Sequence, residues 1–124
     1  MQVPVLKQGR FLVATVQSAL TDVGLNQLQS DLSEKVGKFR SQGVVVDVTA
    51  LDVIDSFATR TLRGIAETTK LRGAETVIVG IQPDVAFAMV QMGLTLRGTE
   101  TALDLEEGFA LLEEKLRERE VRVQ

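Results

Sequence analysis

The 124-residue chain contains no cysteine, no histidine, no tryptophan and no tyrosine. Without cysteine there is no disulfide scaffold, no zinc–thiolate site and no thiol nucleophile. Without histidine the commonest general base and the commonest metal ligand are missing. Any catalysis would have to run on carboxylates, lysine or hydroxyls. Charge of one sign is also scarce: 17 acidic against 14 basic residues leave a net charge of −3. That is no electrostatic footprint for nucleic acid, which needs a clustered basic surface. The start of the chain, Met1 to Val5, lacks a charged segment followed by an apolar run, so no signal peptide is expected. No stretch approaches the roughly 20 apolar residues of a membrane span. A cytoplasmic protein is the expectation.

What is present is an ordinary globular composition, 44% hydrophobic and 25% charged. Its length fits one domain over residues 1–124. Val3–Lys7 and Phe11–Gln17 read as a β-hairpin turning at Gln8-Gly9, with Pro4 suited to an edge strand. Leu25, Leu28, Leu32, Val36 and Phe39 form one helical stripe. Thr21 or Asp22 is placed to cap its start, and Gly43 follows its end. Val44–Val48 is a nearly continuous apolar run, as in a strand buried on both faces. Ser56–Arg72 reads as a second helix with Ala58, Leu62, Ile65 and Thr69 inward and Gly73 beyond its end. Thr76–Val79 is a further buried strand. Pro83 opens a helix whose inner side is expected to hold Val85, Met89 and Met92. Leu96–Ala102 is a weaker edge-strand candidate. Asp104 and Glu107 resemble a capping box before a helix with Leu105, Phe109, Leu112 and Leu116 on one face. Strands alternating with single helices imply an α/β fold with a mixed, mostly parallel sheet, an N-terminal hairpin and about four helices.

The segment from Asp47 to Thr59 is the most informative. A buried strand ends there, an acidic loop follows and a helix begins. In open α/β sheets sites gather beyond the carboxyl ends of strands, and a helix N-terminus favours added negative charge. Ser56 stands at or beside that start. It reads as a plain N-cap, as a phosphoacceptor, or as both. Asp47, Asp52 and Asp55 admit a divalent cation, an aspartyl phosphoacceptor at Asp47, or local turn and capping bonds. Receiver-type aspartyl chemistry also needs an acidic pair after the first strand and a lysine after a later one. Here Ser18-Ala19 and Gly80-Ile81-Gln82 stand at those places. Neither Gly73-Ala74-Glu75 nor Gly80-Ile81-Gln82-Pro83 has the spacing of a phosphate loop, and both read as ordinary connections.

The element order, with Val44-Val45-Val46-Asp47 and then Val53-Ile54-Asp55-Ser56-Phe57, resembles STAS domains, the anti-sigma-factor antagonist fold. Lys70 to Ala74, Gly80 to Pro83 and Glu100 to Glu106 add to the likeness and bring it nearest the RsbS-type stressosome scaffold branch. The resemblance implies a non-catalytic protein without cofactor or metal. It implies co-assembly with STAS-containing sensor paralogues of RsbR type, self-association, and sequestration of a serine/threonine switch kinase of RsbT type. Phosphorylation at Ser56 would release the kinase, and a phosphatase of RsbX type would reset the site. Asp47, Asp52, Asp55 and Thr59 would form the surroundings of the phosphosite. Many STAS domains carry a second small residue after the serine, where Phe57 and Ala58 stand here. That departure fits the scaffold branch better than a free anti-sigma-factor antagonist. A STAS module sensing a nucleotide or lipid is a third reading.

Overall fold

Five strands and four helices alternate along the chain in the computed structural model, which describes residues 3–18 and 20–123. Ala19, half of the non-acidic Ser18-Ala19 exit, lies outside the described residues with Met1, Gln2 and Gln124. The strands are β1 (Val5–Gln8), β2 (Phe11–Thr15), β3 (Gly43–Asp47), β4 (Glu75–Val79) and β5 (Glu100–Ala102). The helices are α1 (Asp22–Phe39), α2 (Ser56–Leu71), α3 (Pro83–Gln91) and α4 (Leu105–Val123). The sheet order follows the chain order, β1-β2-β3-β4-β5. Only the β1–β2 hairpin is antiparallel, and the other three pairings are parallel. Gly9 provides the hairpin turn with φ of +61°.

The near-continuous apolar strands follow from burial on both faces. Leu12, Ala14, Val44, Val46 and Ile78 face a core closed by Leu25, Leu28, Leu32 and Val36 of α1 and Ala58, Leu62 and Ile65 of α2, with Val85 and Met89 of α3. Phe11, Val13, Val45, Val77 and Val79 point the other way, against Leu112 and Leu116 of α4. The strands therefore alternate between two cores rather than between core and water. A buried hydroxyl pair, Thr69 Oγ1 and Thr76 Oγ1 at 2.7 Å, joins α2 to β4.

Several local expectations are corrected. Gly43 does not end α1: Arg40 takes the left-handed conformation, with φ of +51°. Gly43 instead opens β3, where a Cβ would press on the Phe11 ring and Leu112. Met92 is 66% exposed and does not line α3's inner side, because α3 ends at Gln91 and Met92 is already its C-cap. Leu105 is the first residue of α4 and, at 38% exposure, is not buried with Leu112 and Leu116. The edge strand is three residues long and does not extend back to Leu96. At the start of α4, Glu107 N–H donates to Asp104 Oδ1 (2.9 Å), while Glu107 Oε1 accepts from the Leu103 N–H rather than from Asp104. The cap of α1 is Thr21, whose hydroxyl accepts from Gly24 N–H at 3.1 Å.

Candidate functional site

The central strand β3 delivers its last residue, Asp47, to the carboxyl edge of the sheet. The connection to α2 is held by apolar residues at every third position. Val48, Leu51 and Ile54 are buried, and the Val48 N–H donates to the Val79 carbonyl at 2.9 Å. Between the last two anchors Asp52 and Val53 are exposed, and so are Asp55 and Ser56 just after Ile54. The loop is thus ordered by packing while its polar residues face water.

Each carboxylate has its own task. Asp47 Oδ1 accepts from the Thr49 N–H (2.9 Å) and from the Thr49 hydroxyl (2.6 Å), which closes a turn. Asp52 Oδ1 meets Gln82 Nε2 at 3.4 Å. Asp55 is the N-cap of α2, its Oδ1 accepting from Ala58 N–H at 2.8 Å. Among the described residues no three acidic side chains are placed to hold a metal ion, so the cation reading of the three aspartates finds no common centre. The cap reading of Ser56 is likewise corrected: Asp55 caps, and Ser56 is the first helical residue.

The hydroxyls of this segment differ in availability. Thr49 is committed to Asp47. Thr59 is 2% exposed and donates to the Asp55 carbonyl at 2.8 Å. Ser56 is exposed, and its hydroxyl makes no hydrogen bond among the described residues. The first turn of α2 holds no acidic side chain, so the positive end of its dipole is left to the Asp55 cap alone. A hollow of about 270 Å³ lies between the start of α1 and this loop, bounded by Asp22, Leu25, Leu51, Asp52, Asp55 and Ala58 among others. Ser56 does not line it. Ser56 is exposed to solvent instead.

Sequence reasoning missed the contribution of the β4–α3 turn. Gly80 has φ of +83°, and a Cβ there would collide with the Thr49 hydroxyl. Gln82 Nε2 donates to the Thr49 carbonyl at 2.7 Å. The signal was the in-register pairing of Asp47 with Val79, which puts the residues after both strands side by side. It is visible only once the pairing is known. Away from this edge, the hydrogen bond from Lys115 to Glu100 raises the Lys115 pKa above its ordinary value, and partial burial opposes that rise. Among the described residues no helix is long and apolar enough to cross a membrane.

Comparison with known proteins agrees with this architecture. The STAS domain model matches residues 2–107. A serine-to-glutamate variant of RsbS from Moorella thermoacetica is 36% identical, covering 93% of this chain and 97% of that one with a TM-score of 0.79. A chain of the stressosome, described as a signal integration and transduction hub, is 34% identical over 92% of this chain and 99% of that one, with a TM-score of 0.74. The RsbT co-antagonist protein RsbRA of Bacillus subtilis is 30% identical over 83 residues, 67% of this chain but 30% of the relative's length. The chain therefore spans less than a third of that curated relative. The five-stranded sheet, its opening hairpin and the family match together make this chain a member of the STAS domain family.

Proposed function

We propose that this chain is a non-catalytic, cytoplasmic stressosome scaffold of RsbS type. In this reading it co-assembles with RsbR-type sensor paralogues, holds an RsbT-type switch kinase, and releases that kinase when Ser56 is phosphorylated. An RsbX-type phosphatase then restores the unmodified serine. The observation that carries the reading is the uncommitted, exposed Ser56 hydroxyl on the first residue of α2, beside hydroxyls that are already bonded. The relatives support it: one is an RsbS in which a serine is replaced by the acidic glutamate, one is a stressosome chain, and one is named for co-antagonism of RsbT. Val53 in the loop and Phe87, Val90 and Met92 on and after α3 are exposed apolar side chains available to protein partners.

Release follows from charge. A phosphate adds nearly two negative charges and three acceptor oxygens. The helix dipole favours it by about 0.3–1 kcal/mol, while the exposed Asp52 and Asp55 repel it. The opposing local terms leave the fold intact and make the surface strongly anionic. A kinase docked there meets like charge and a desolvation penalty. The test has two arms. Incubation with the kinase and ATP, followed by mass spectrometry, is expected to place the phosphate on Ser56. Analytical ultracentrifugation with a STAS paralogue is expected to show a particle far larger than either protein alone. Phosphate mainly on Thr49, Thr59 or Ser41 would overturn the site assignment. A phosphorylated chain that forms no particle with any paralogue is instead a free antagonist.

A further inference from the structure

Gln82 occupies the N-cap position of α3, yet its side chain makes no capping hydrogen bond there. The carboxamide crosses to the loop after β3 instead, donating to the Thr49 carbonyl at 2.7 Å and reaching Asp52 Oδ1 at 3.4 Å. A primary amide has two N–H donors on one nitrogen, so it can serve both acceptors at once. Two residues earlier, Gly80 leaves room for the Thr49 hydroxyl, which in turn is bonded to Asp47. The turn from Gly80 to Gln82 is therefore a seat for Thr49 and Asp52. The cap by Asp55 secures the other end of the same loop.

We propose that Gln82 is a positioning residue for the Ser56 switch. It clamps Thr49–Asp52 to the start of α3 and keeps the loop in the conformation that presents Ser56. The proposal rests on the reading of Ser56 as the phosphoacceptor. A loop ordered in advance spares the kinase the entropy of ordering it. Loss of the clamp therefore weakens recognition of the protein substrate and raises KM more than it lowers kcat.

Gln82→Glu is the informative variant. It has the same shape, but it removes both donors and sets a carboxylate against the Thr49 carbonyl and Asp52. Gln82→Ala removes the clamp without adding charge. The first readout is hydrogen exchange of the Thr49 and Leu51 amides, which bond to Asp47 Oδ1 and the Val48 carbonyl. Exchange is expected to speed up about fivefold in Gln82→Ala, as for loss of one ordinary hydrogen bond, and further in Gln82→Glu. Protection within β3 and β4 stays at the wild-type level. The double variant Gln82→Glu with Asp52→Asn restores a donor–acceptor pair of reversed polarity. It is expected to recover part of the lost protection relative to Gln82→Glu, a recovery that a purely structural loss of packing would not give. The second readout is Ser56 phosphorylation by the switch kinase, in which KM is expected to rise at least threefold in Gln82→Glu. Unchanged loop exchange in both single variants overturns the clamp. Faster exchange with an unchanged KM overturns its role in presenting Ser56. If wild type itself takes no phosphate on Ser56, the functional reading fails, while the exchange measurements still judge the clamp on its own.

Discussion

Replacing Asp55 by alanine isolates the contribution of the cap that orders the Ser56 region. The wild-type carboxylate accepts one hydrogen bond, from the Ala58 N–H at 2.8 Å. Asp55 is exposed, so its removal leaves no cavity and no buried charge. The cost is that of an N-cap, about 1 kcal/mol. With an unfolding entropy of about 2.1 cal/mol/K per residue, the melting temperature is expected to fall by about 4 °C. Asp55→Asn keeps an accepting oxygen and is expected to stay near wild type. Ser56→Ala deletes an exposed hydroxyl with no capping duty and is expected to shift the melt by less than about 1 °C. Ser56→Asp adds the first acid to the opening turn of α2. The gain from the dipole and repulsion by Asp52 and Asp55 oppose each other, so the melt is expected to move by less than about 2 °C. Thermal melts by circular dichroism on the four variants decide the matter. A fall in Ser56→Ala as large as in Asp55→Ala would return the cap to Ser56. A large fall in Ser56→Asp would mean that the switch unfolds the helix start, and release by surface charge would be wrong.

Two glycines in helices are expected to respond to alanine with opposite sign. A Cβ on Gly108 would lie 2.7 Å from the buried Val79 Cγ1, so Gly108→Ala should wedge α4 off the sheet and cost about 1–3 kcal/mol. A Cβ on Gly64 would lie 2.8 Å from the Gln29 amide nitrogen, the flexible end of a side chain that donates to Thr68 Oγ1 at 3.2 Å. Its turning aside weakens that bond and offsets part of the helix-propensity gain, so Gly64→Ala should gain less than about 1 kcal/mol. Urea midpoints that rank the two in the reverse order would refute the packing argument. The hydroxyl pair between α2 and β4 is also asymmetric: Thr69 donates to the Ile65 carbonyl at 2.8 Å, which leaves Thr76 as the donor to Thr69. Thr69→Val strands the buried Thr76 hydroxyl and should cost about 1–3 kcal/mol, while Thr76→Val leaves Thr69 bonded and should cost less. Equal losses in denaturant melts would show that the pair does not act as assigned.

Much of the fold was legible in the chain because its signals are local. The period of Leu25, Leu28, Leu32 and Val36 identifies α1, and the unbroken Val44–Val46 run identifies a strand buried on two sides. Pro83 marks the first turn of α3, and Asp104 with Glu107 marks the start of α4. The position of Ser56 at a strand-to-helix junction was equally plain. Other features depended on what the residues meet in space. Asp55 and Ser56 are both good caps by composition, and the choice of Asp55 follows from where the backbone enters the helix. Gly43 could have ended α1, but the packing of Phe11 and Leu112 against β3 required a residue without a side chain there, and Arg40 took the left-handed turn instead. Met92 satisfied the helical period yet lies outside, because α3 stops one residue before it. The bond between Gln82 and the Ser56 loop joins residues 33 positions apart in the chain. Only the parallel pairing of β3 with β4 brings them together, since register is a property of two strands and neither one encodes it alone.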